Sequence, residues 1–245
     1  MRVTAGEQVA PRWQRRKDAR PGEILDAALD VFVRQGFPAT RIQDVAQQAG
    51  VTTGTVYLYF AGKEAVFEAA VMQAMDRMLT PSEQRVRAHQ GTAESLLIEL
   101  MRRWWKTTAT DPRYAGIPRL IGAEADRFPE LARHYVTRVL DRARAMYGRV
   151  LERGIERGEF CPHDVQYGVR LLMAPVQYAL AYNSSLAPFD AAGRFDRGYL
   201  DAHLEIFLRG IRAEGAATAG AHASAGRVSS ERRAEGGLPP PASAK

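Results

Sequence analysis

The chain has 245 residues, with 34 Lys and Arg against 28 Asp and Glu, for a formal net charge of +6. Cys161 is its one cysteine and no run of about 18 apolar residues occurs, which excludes an intrachain disulfide and a transmembrane helix and leads us to expect a soluble, cytoplasmic protein without membrane partners. The length suits one large domain, or a small one followed by a larger one.

In chain order, residues 1–20 come first and hold Arg2, Arg12, Arg15, Arg16, Lys17 and Arg20 against Glu7 and Asp18. A basic arm of this kind can neutralise phosphates along a DNA backbone or enter a minor groove, with Arg15, Arg16 and Lys17 as candidate contacts. A solubilising disordered leader has the same composition. No apolar stretch follows Arg20, so a signal peptide is a poor reading. Pro21 then stands at a first-turn position, Ile24, Leu25, Ala28, Leu29 and Phe32 form one helical stripe, and Gly36 ends it.

Residues 40–60, TRIQDVAQQAGVTTGTVYLYF, read as two short helices across a glycine turn. Thr40 and Gln43 have capping-box spacing, which predicts a helix from Arg41 with Ile42, Val45, Ala46 and Ala49 inward. Gly50 ends that helix, Thr52 caps the next, and Val56 and Phe60 face inward while Thr53, Gly54, Thr55 and Tyr57 stay exposed. A core helix has no reason to expose such a polar face behind a basic arm.

At these residues the chain resembles the TetR family of bacterial transcriptional regulators. The matching positions are Thr40, Val45, Ala46, Ala49, Gly50, Val51, Thr52, Gly54, Thr55, Val56, Tyr57, Tyr59, Phe60, Lys63 and Glu64, within residues 21–67. Thr53 departs from the pattern, since many members carry Lys there. The resemblance implies a helix-turn-helix unit in which Thr40, Tyr57, Tyr59 and Lys63 touch phosphates, Thr53 and Thr55 face base edges, and Arg41, Thr52 and Gly54 complete the contact surface. It also implies a two-fold dimer on a near-palindromic, double-stranded operator, most often as a repressor, and a C-terminal pocket for a small-molecule effector that remains unidentified.

Lys63 opens a helix whose Phe67, Ala70, Val71, Ala74, Met75 and Met78 keep helical spacing to Pro81. Leu97, Leu100, Met101 and Trp104 mark the next, followed by a Pro-interrupted segment over residues 113–125. Pro129 starts the longest pattern, from Ala132 and Tyr135 through Val136, Val139 and Leu140 to Leu151, and Gly158 stops it. Helices over residues 164–186 and 197–212 complete an all-α chain: a helix-turn-helix DNA-binding domain at 21–66, then a larger ligand-binding and dimerisation domain at 67–213. From residue 214 to 245 Ala, Gly, Ser and Pro replace any apolar period, so a disordered tail is expected.

The last two helices carry more apolar surface than one chain can bury. Val169, Leu172, Met173, Val176 and Leu180 form one stripe, and Gly168, Leu171, Pro175, Tyr178 and Tyr182 a second. Periodicity leaves open which faces the core; Leu172, Val176, Leu180, Leu204, Phe207 and Ile211 are the candidates for a four-helix dimer interface. Candidates for the effector pocket are Met101, Trp104, Trp105, Phe128, Tyr135, Tyr147, Met173 and Gln177, although for any one of them taken singly a place in the core is the plainer reading.

Enzyme readings fail on spacing. Cys161 and His163 have no partner at metal-ligand intervals, no G-x-S-x-G elbow occurs, and the Gly62-Lys63-Glu64 run has Glu where a phosphate loop needs Ser or Thr. No catalytic residue, metal or cofactor is expected. The reading from another class is a sequence-tolerant or architectural DNA-binding protein without an effector, which phosphate contacts alone would support.

Overall fold

Glycines in the left-handed region and short polar caps cut the chain into helices. A computed structural model describes residues 12–213, with side chains from residue 21 onward. It contains α1 (Arg12–Gln35), α2 (Ile42–Gln48), α3 (Thr53–Tyr59), α4 (Lys63–Ala88), α5 (Ala93–Thr110), α6 (Pro112–Glu124), α7 (Pro129–Tyr135), a π-helical turn (Val136–Leu140), α8 (Asp141–Glu156), α9 (Val165–Ser185) and α10 (Arg197–Ile211). Among the described residues extended pairing is limited to one bridge, between Phe160 and Arg212, so the fold is all-α as expected. Gly36 (φ 81°) and Gly50 (φ 65°) close α1 and α2 in a conformation that a side chain disfavours. Thr52, Thr92, Asp111, Asp164 and Asp196 cap α3, α5, α6, α9 and α10 by accepting from first-turn amides.

Three boundaries differ from the sequence expectation. Helix α1 starts at Arg12 and carries Pro21 inside it, so residues 12–20 belong to a helix and not to an unstructured arm. That run holds neither Gly nor Pro and is rich in good helix formers, which carry the helix past the one amide that proline removes. Helix α4 likewise continues through Pro81 to Ala88. The long pattern after Pro129 is interrupted by the π turn, which inserts an extra residue and turns the apolar face of α7 relative to that of α8. Residues 1–11 and 214–245, the expected arm tip and tail, lie outside the described residues.

The cap of α2 also sits one residue later than expected. Arg41 is the N-cap residue, and its amide donates to the Asp44 carboxylate at 2.8 Å. The Thr40 hydroxyl instead donates to the Gly36 carbonyl at 2.7 Å, tying the two ends of the α1–α2 turn. The acidic side chain outcompetes Gln43 for the cap because a carboxylate gains more from an amide at a helix start.

Helices α1, α2 and α3 close around Ile24, Phe32, Val45 and Val56, all buried, with the start of α4 supplying Phe67. Phe67 packs on Phe32 at 4.8 Å and on Phe37 at 5.0 Å between ring centroids. Phe128, from the α6–α7 turn, meets Phe37 edge-on at 4.9 Å, so the aromatic core runs on into the larger domain. Helix α4 belongs to both: Phe67 and Ala70 face the first domain, while Met75 and Leu79 face the second. Arg142 of α8 ties α4 at its far end through Asp76 and, at 3.0 Å, Glu83.

On α9 and α10 the structure corrects the choice of stripe. Leu172, Val176, Leu180 and Leu204 are buried within their own chain, and Phe207 and Ile211 are half-buried against the same core. The face left outside carries Tyr167, Leu171, Tyr178 and Ile206, with exposures of 67%, 66%, 58% and 72%. Both stripes have the same helical period, and only the packing of α9 on α8, α5 and α6 tells them apart.

Candidate DNA interface and effector cavity

Thr52 sets the start of α3. Its hydroxyl accepts from the Thr55 amide at 3.2 Å and shares a hydrogen bond with the Thr55 hydroxyl at 2.9 Å. Val56 is fully buried and pins the helix to α1 and α2. Thr53, Thr55 and Tyr59 are then half-exposed along the flanks, and Gly54, Tyr57 and Leu58 point to solvent. Leu58, 74% exposed, escaped the sequence reading, although its place two residues from the inward Val56 puts it on the far side of the helix. Arg41 is exposed beside this face. Arg15, Arg16 and Lys17 fall on the first turns of α1, where side chains are not described.

Two expected phosphate contacts are turned inward instead. Thr40 is buried, its hydroxyl held by Gly36. The Lys63 ammonium donates to the carbonyls of Phe37 (3.0 Å), Pro38 (3.4 Å) and Thr40 (3.0 Å), and stands 4.4 Å from the centroid of the Phe37 ring. Three donors on three carbonyls exhaust an ammonium group, so Lys63 locks the α1–α2 turn that presents Arg41 and α2. The sequence motif marks the residue without saying which way it points.

The larger domain holds a cavity of about 550 Å³ between α4, α5, α6, α7, the π turn, α8 and α9. Of the eight candidates, Trp104, Tyr135, Tyr147, Met173 and Gln177 line it. Met101 and Trp105 are buried in the neighbouring core, one helical step away from the wall, and Phe128 lies in the aromatic seam against Phe37. Residues that the sequence reading passed over complete the lining, among them Met75, Met78, Arg103, Tyr114 and Pro118. The lone signal for them was membership of amphipathic helices, which core residues share.

Burial alone pushes the Tyr135 phenol up to about 12 and raises that of Tyr147 as well, so both stay neutral donors across the physiological range. Arg103, exposed at the rim, is the one ionised group of the lining. The wall is thus oily, with a few hydroxyls, an amide and one cation able to orient a guest. Two lining helices also reach the DNA-binding unit. Helix α4 does so by continuity, and α6 by packing on α1, where Gly116 lies so near that a Cβ would stand 2.8 Å from Val33 Cγ1.

Helix-turn-helix geometry followed by a helical domain with an internal cavity defines a class of one-component DNA-binding regulators, and comparison with known proteins gives the family. The model for bacterial regulatory proteins of the tetR family matches residues 24–70, and that for the tetracyclin repressor-like C-terminal domain matches residues 87–192. The HTH-type transcriptional regulator YfiR of Bacillus subtilis is 30% identical over 60% of this chain and 70% of its own. The HTH-type transcriptional repressor KstR2 of Mycobacterium tuberculosis is 26% identical over 81% and 96%. The crystal structure of FadR from Bacillus subtilis with stearoyl-CoA superposes with a TM-score of 0.63 at 21% identity, over 78% of this chain and 99% of that one. The chain belongs to the TetR family of transcriptional regulators. It is a DNA-binding regulator, and no enzymatic family is indicated. No helix among the described residues is long and apolar enough to cross a membrane.

Proposed function

We propose that this protein is a dimeric repressor that binds a near-palindromic operator and is released when a largely apolar small molecule enters the cavity of its C-terminal domain. The observation that carries this reading is the cavity itself, about 550 Å³ and walled by the same two helices, α4 and α6, that reach the DNA-binding unit. A guest that displaces either helix has a direct mechanical route to α1, α2 and α3. The DNA side of the reading uses Thr53, Thr55, Tyr57, Tyr59 and Arg41 on the exposed face, with Arg15, Arg16 and Lys17 along the backbone. Dimerisation falls to the outer face of α9 and α10 around Leu171 and Ile206, since a row of exposed apolar side chains at helical spacing calls for a partner. Two-fold symmetry would then set the recognition helices about 34 Å apart, in successive major grooves.

For the guest, the oily wall with Tyr135, Tyr147 and Gln177 inside and Arg103 at the rim suits a long hydrocarbon with a polar, anionic head. The solved structures of FadR with stearoyl-CoA and of the ketosteroid transcriptional regulator KstR2 support the same direction, toward lipophilic metabolites. The test uses a Trp13→Phe, Trp105→Phe variant, in which Trp104 at the wall is the remaining indole. Saturated acyl-CoA thioesters from eight to eighteen carbons are titrated while Trp104 emission and binding to a selected DNA fragment are followed. We expect emission changes that strengthen with chain length, loss of DNA binding over the same concentrations, and weakening of both by Tyr147→Phe. Release of DNA with no response at Trp104 would overturn the assignment of this cavity.

A further inference from the structure

We infer that the outward apex of α3, formed by Gly54 and Leu58, reads thymine C5-methyl groups in the major groove, so that operator sequence is recognised here by shape and apolar contact more than by hydrogen bonding. The inference rests on the operator-binding function proposed above and concerns which groups do the reading.

Successive residues of an α-helix are turned by about 100°. With Val56 pointing into the core, Gly54 and Leu58 fall about 160° and 200° away, straddling the line that points directly out, while Thr53, Thr55, Tyr57 and Tyr59 lie to the sides. Exposure agrees with this geometry: Val56 is 0% exposed and Leu58 is 74% exposed, with Gly54 also in solvent. The two residues that would enter the groove deepest therefore bear no hydrogen-bonding side chain. The Thr55 hydroxyl on the flank is already engaged with Thr52. Helix α3 carries no charged residue either, so ionised contacts to guanine or phosphate are not available from it.

Gly54 adds an independent argument. Its backbone is ordinary helix and not left-handed, and a Cβ there would meet nothing closer than Thr52 Oγ1, at 3.9 Å. Nothing inside the protein calls for glycine at this position, and glycine is a poor helix former. A missing side chain at the outermost point of the helix instead lets the backbone come close to something outside the chain. Leu58, one turn further on, then supplies an apolar surface at the depth where thymine presents its methyl group, the one apolar feature of the major-groove edge. An isobutyl group 74% exposed in the free protein is desolvated on that contact.

The test begins with duplexes enriched by the full-length protein from a random-sequence pool. Each thymine of the enriched site is replaced singly by deoxyuridine, which removes the methyl and leaves base pairing intact. For the wild-type protein we expect a loss of about fourfold in affinity at one thymine of each half-site, and about fifteenfold when both symmetric positions are changed, the value of burying one methyl-sized group. Leu58→Ala should bind the unmodified site more weakly and show no further loss on deoxyuridine substitution. Gly54→Ala should keep or raise the thermal stability of the free protein while weakening the site by about tenfold or more. Wild-type indifference to every deoxyuridine, or equal sensitivity in Leu58→Ala, would overturn the methyl-reading role. Undiminished binding by Gly54→Ala would overturn the close approach. A pool without an enriched sequence would instead defeat the operator-reading function itself.

Discussion

Lys63 shows how a motif residue can be located in the sequence while the partners of its side chain are not. Its ammonium is held by three carbonyls and the Phe37 ring, so its loss leaves the α1–α2 turn with unanswered acceptors. Lys63→Ala should lower stability in the absence of DNA by about 2 kcal/mol, roughly 4–8 °C in Tm for a protein of this size. Calorimetry of the free protein checks this, and an unchanged Tm would return Lys63 to the role of a phosphate contact. Asp111 gives a pH-dependent counterpart. It caps α6 through the Arg113 amide at 3.0 Å, and hydrogen bonds from the Arg113 side chain hold its carboxyl below the usual range. A carboxyl depressed in the folded state adds stability above its unfolded value of about 3.9, and that contribution disappears as pH falls through the folded value. Asp111→Asn should therefore melt below the wild type at pH 7, with the two curves converging as pH falls through the depressed folded value.

At the scale of the element, α9 carries two apolar faces with opposite duties. Leu172 is fully buried within the chain, and a carboxylate there would be stranded in the core at a cost of several kcal/mol. Leu171, one residue away, stands outside. We expect Leu172→Glu to lose its helical signal, and Leu171→Glu to keep that signal while sedimenting as a monomer with much weaker operator binding. A Leu171→Glu protein that remains a dimer by sedimentation would place the interface elsewhere. The period of 3.6 residues is legible in the sequence, but both faces obey it, and the choice between them depends on which neighbours α9 meets. The same reason hid the true cavity wall: Trp104 and Trp105 are adjacent in sequence, yet one lines the cavity and the other fills the core.

Across the whole molecule, the helices that line the cavity join the DNA-binding unit through the continuous α4 and through the contact of α6 with α1, and the aromatic seam of Phe37 and Phe128 lies beside them. The α6–α1 contact is unusually tight, because Gly116 lets α6 approach Val33 where even a methyl group would stand 2.8 Å from Cγ1. Gly116→Ala should push the helices apart from a position that is itself neither in the cavity lining nor on the exposed face of α3. Affinity for an acyl-CoA thioester that quenches Trp104 should be retained, while the factor by which it weakens operator binding, about 5- to 150-fold for a working switch, falls toward one. Measuring operator affinity with and without that compound decides it. An unchanged factor would rule out the α6–α1 contact as the route.

Local chemistry in the chain was enough to indicate the all-α class and the helix-turn-helix with its Thr52 cap and Gly50 turn, because caps, left-handed glycines and helical period act within a few residues, while the motif over residues 40–64 carried a resemblance to the TetR family that the comparisons with known proteins bear out. The extent of α1 and α4 escaped it, since proline inside a helix is tolerated only when the surrounding sequence and packing outweigh the lost bond. Tertiary structure alone decided the direction of Lys63, the burial of Thr40, the stripe of α9 that stays outside and the residues that line the cavity. Each of these is a question of which side of a helix or turn meets a partner distant in sequence, and a periodic pattern carries no label for that side.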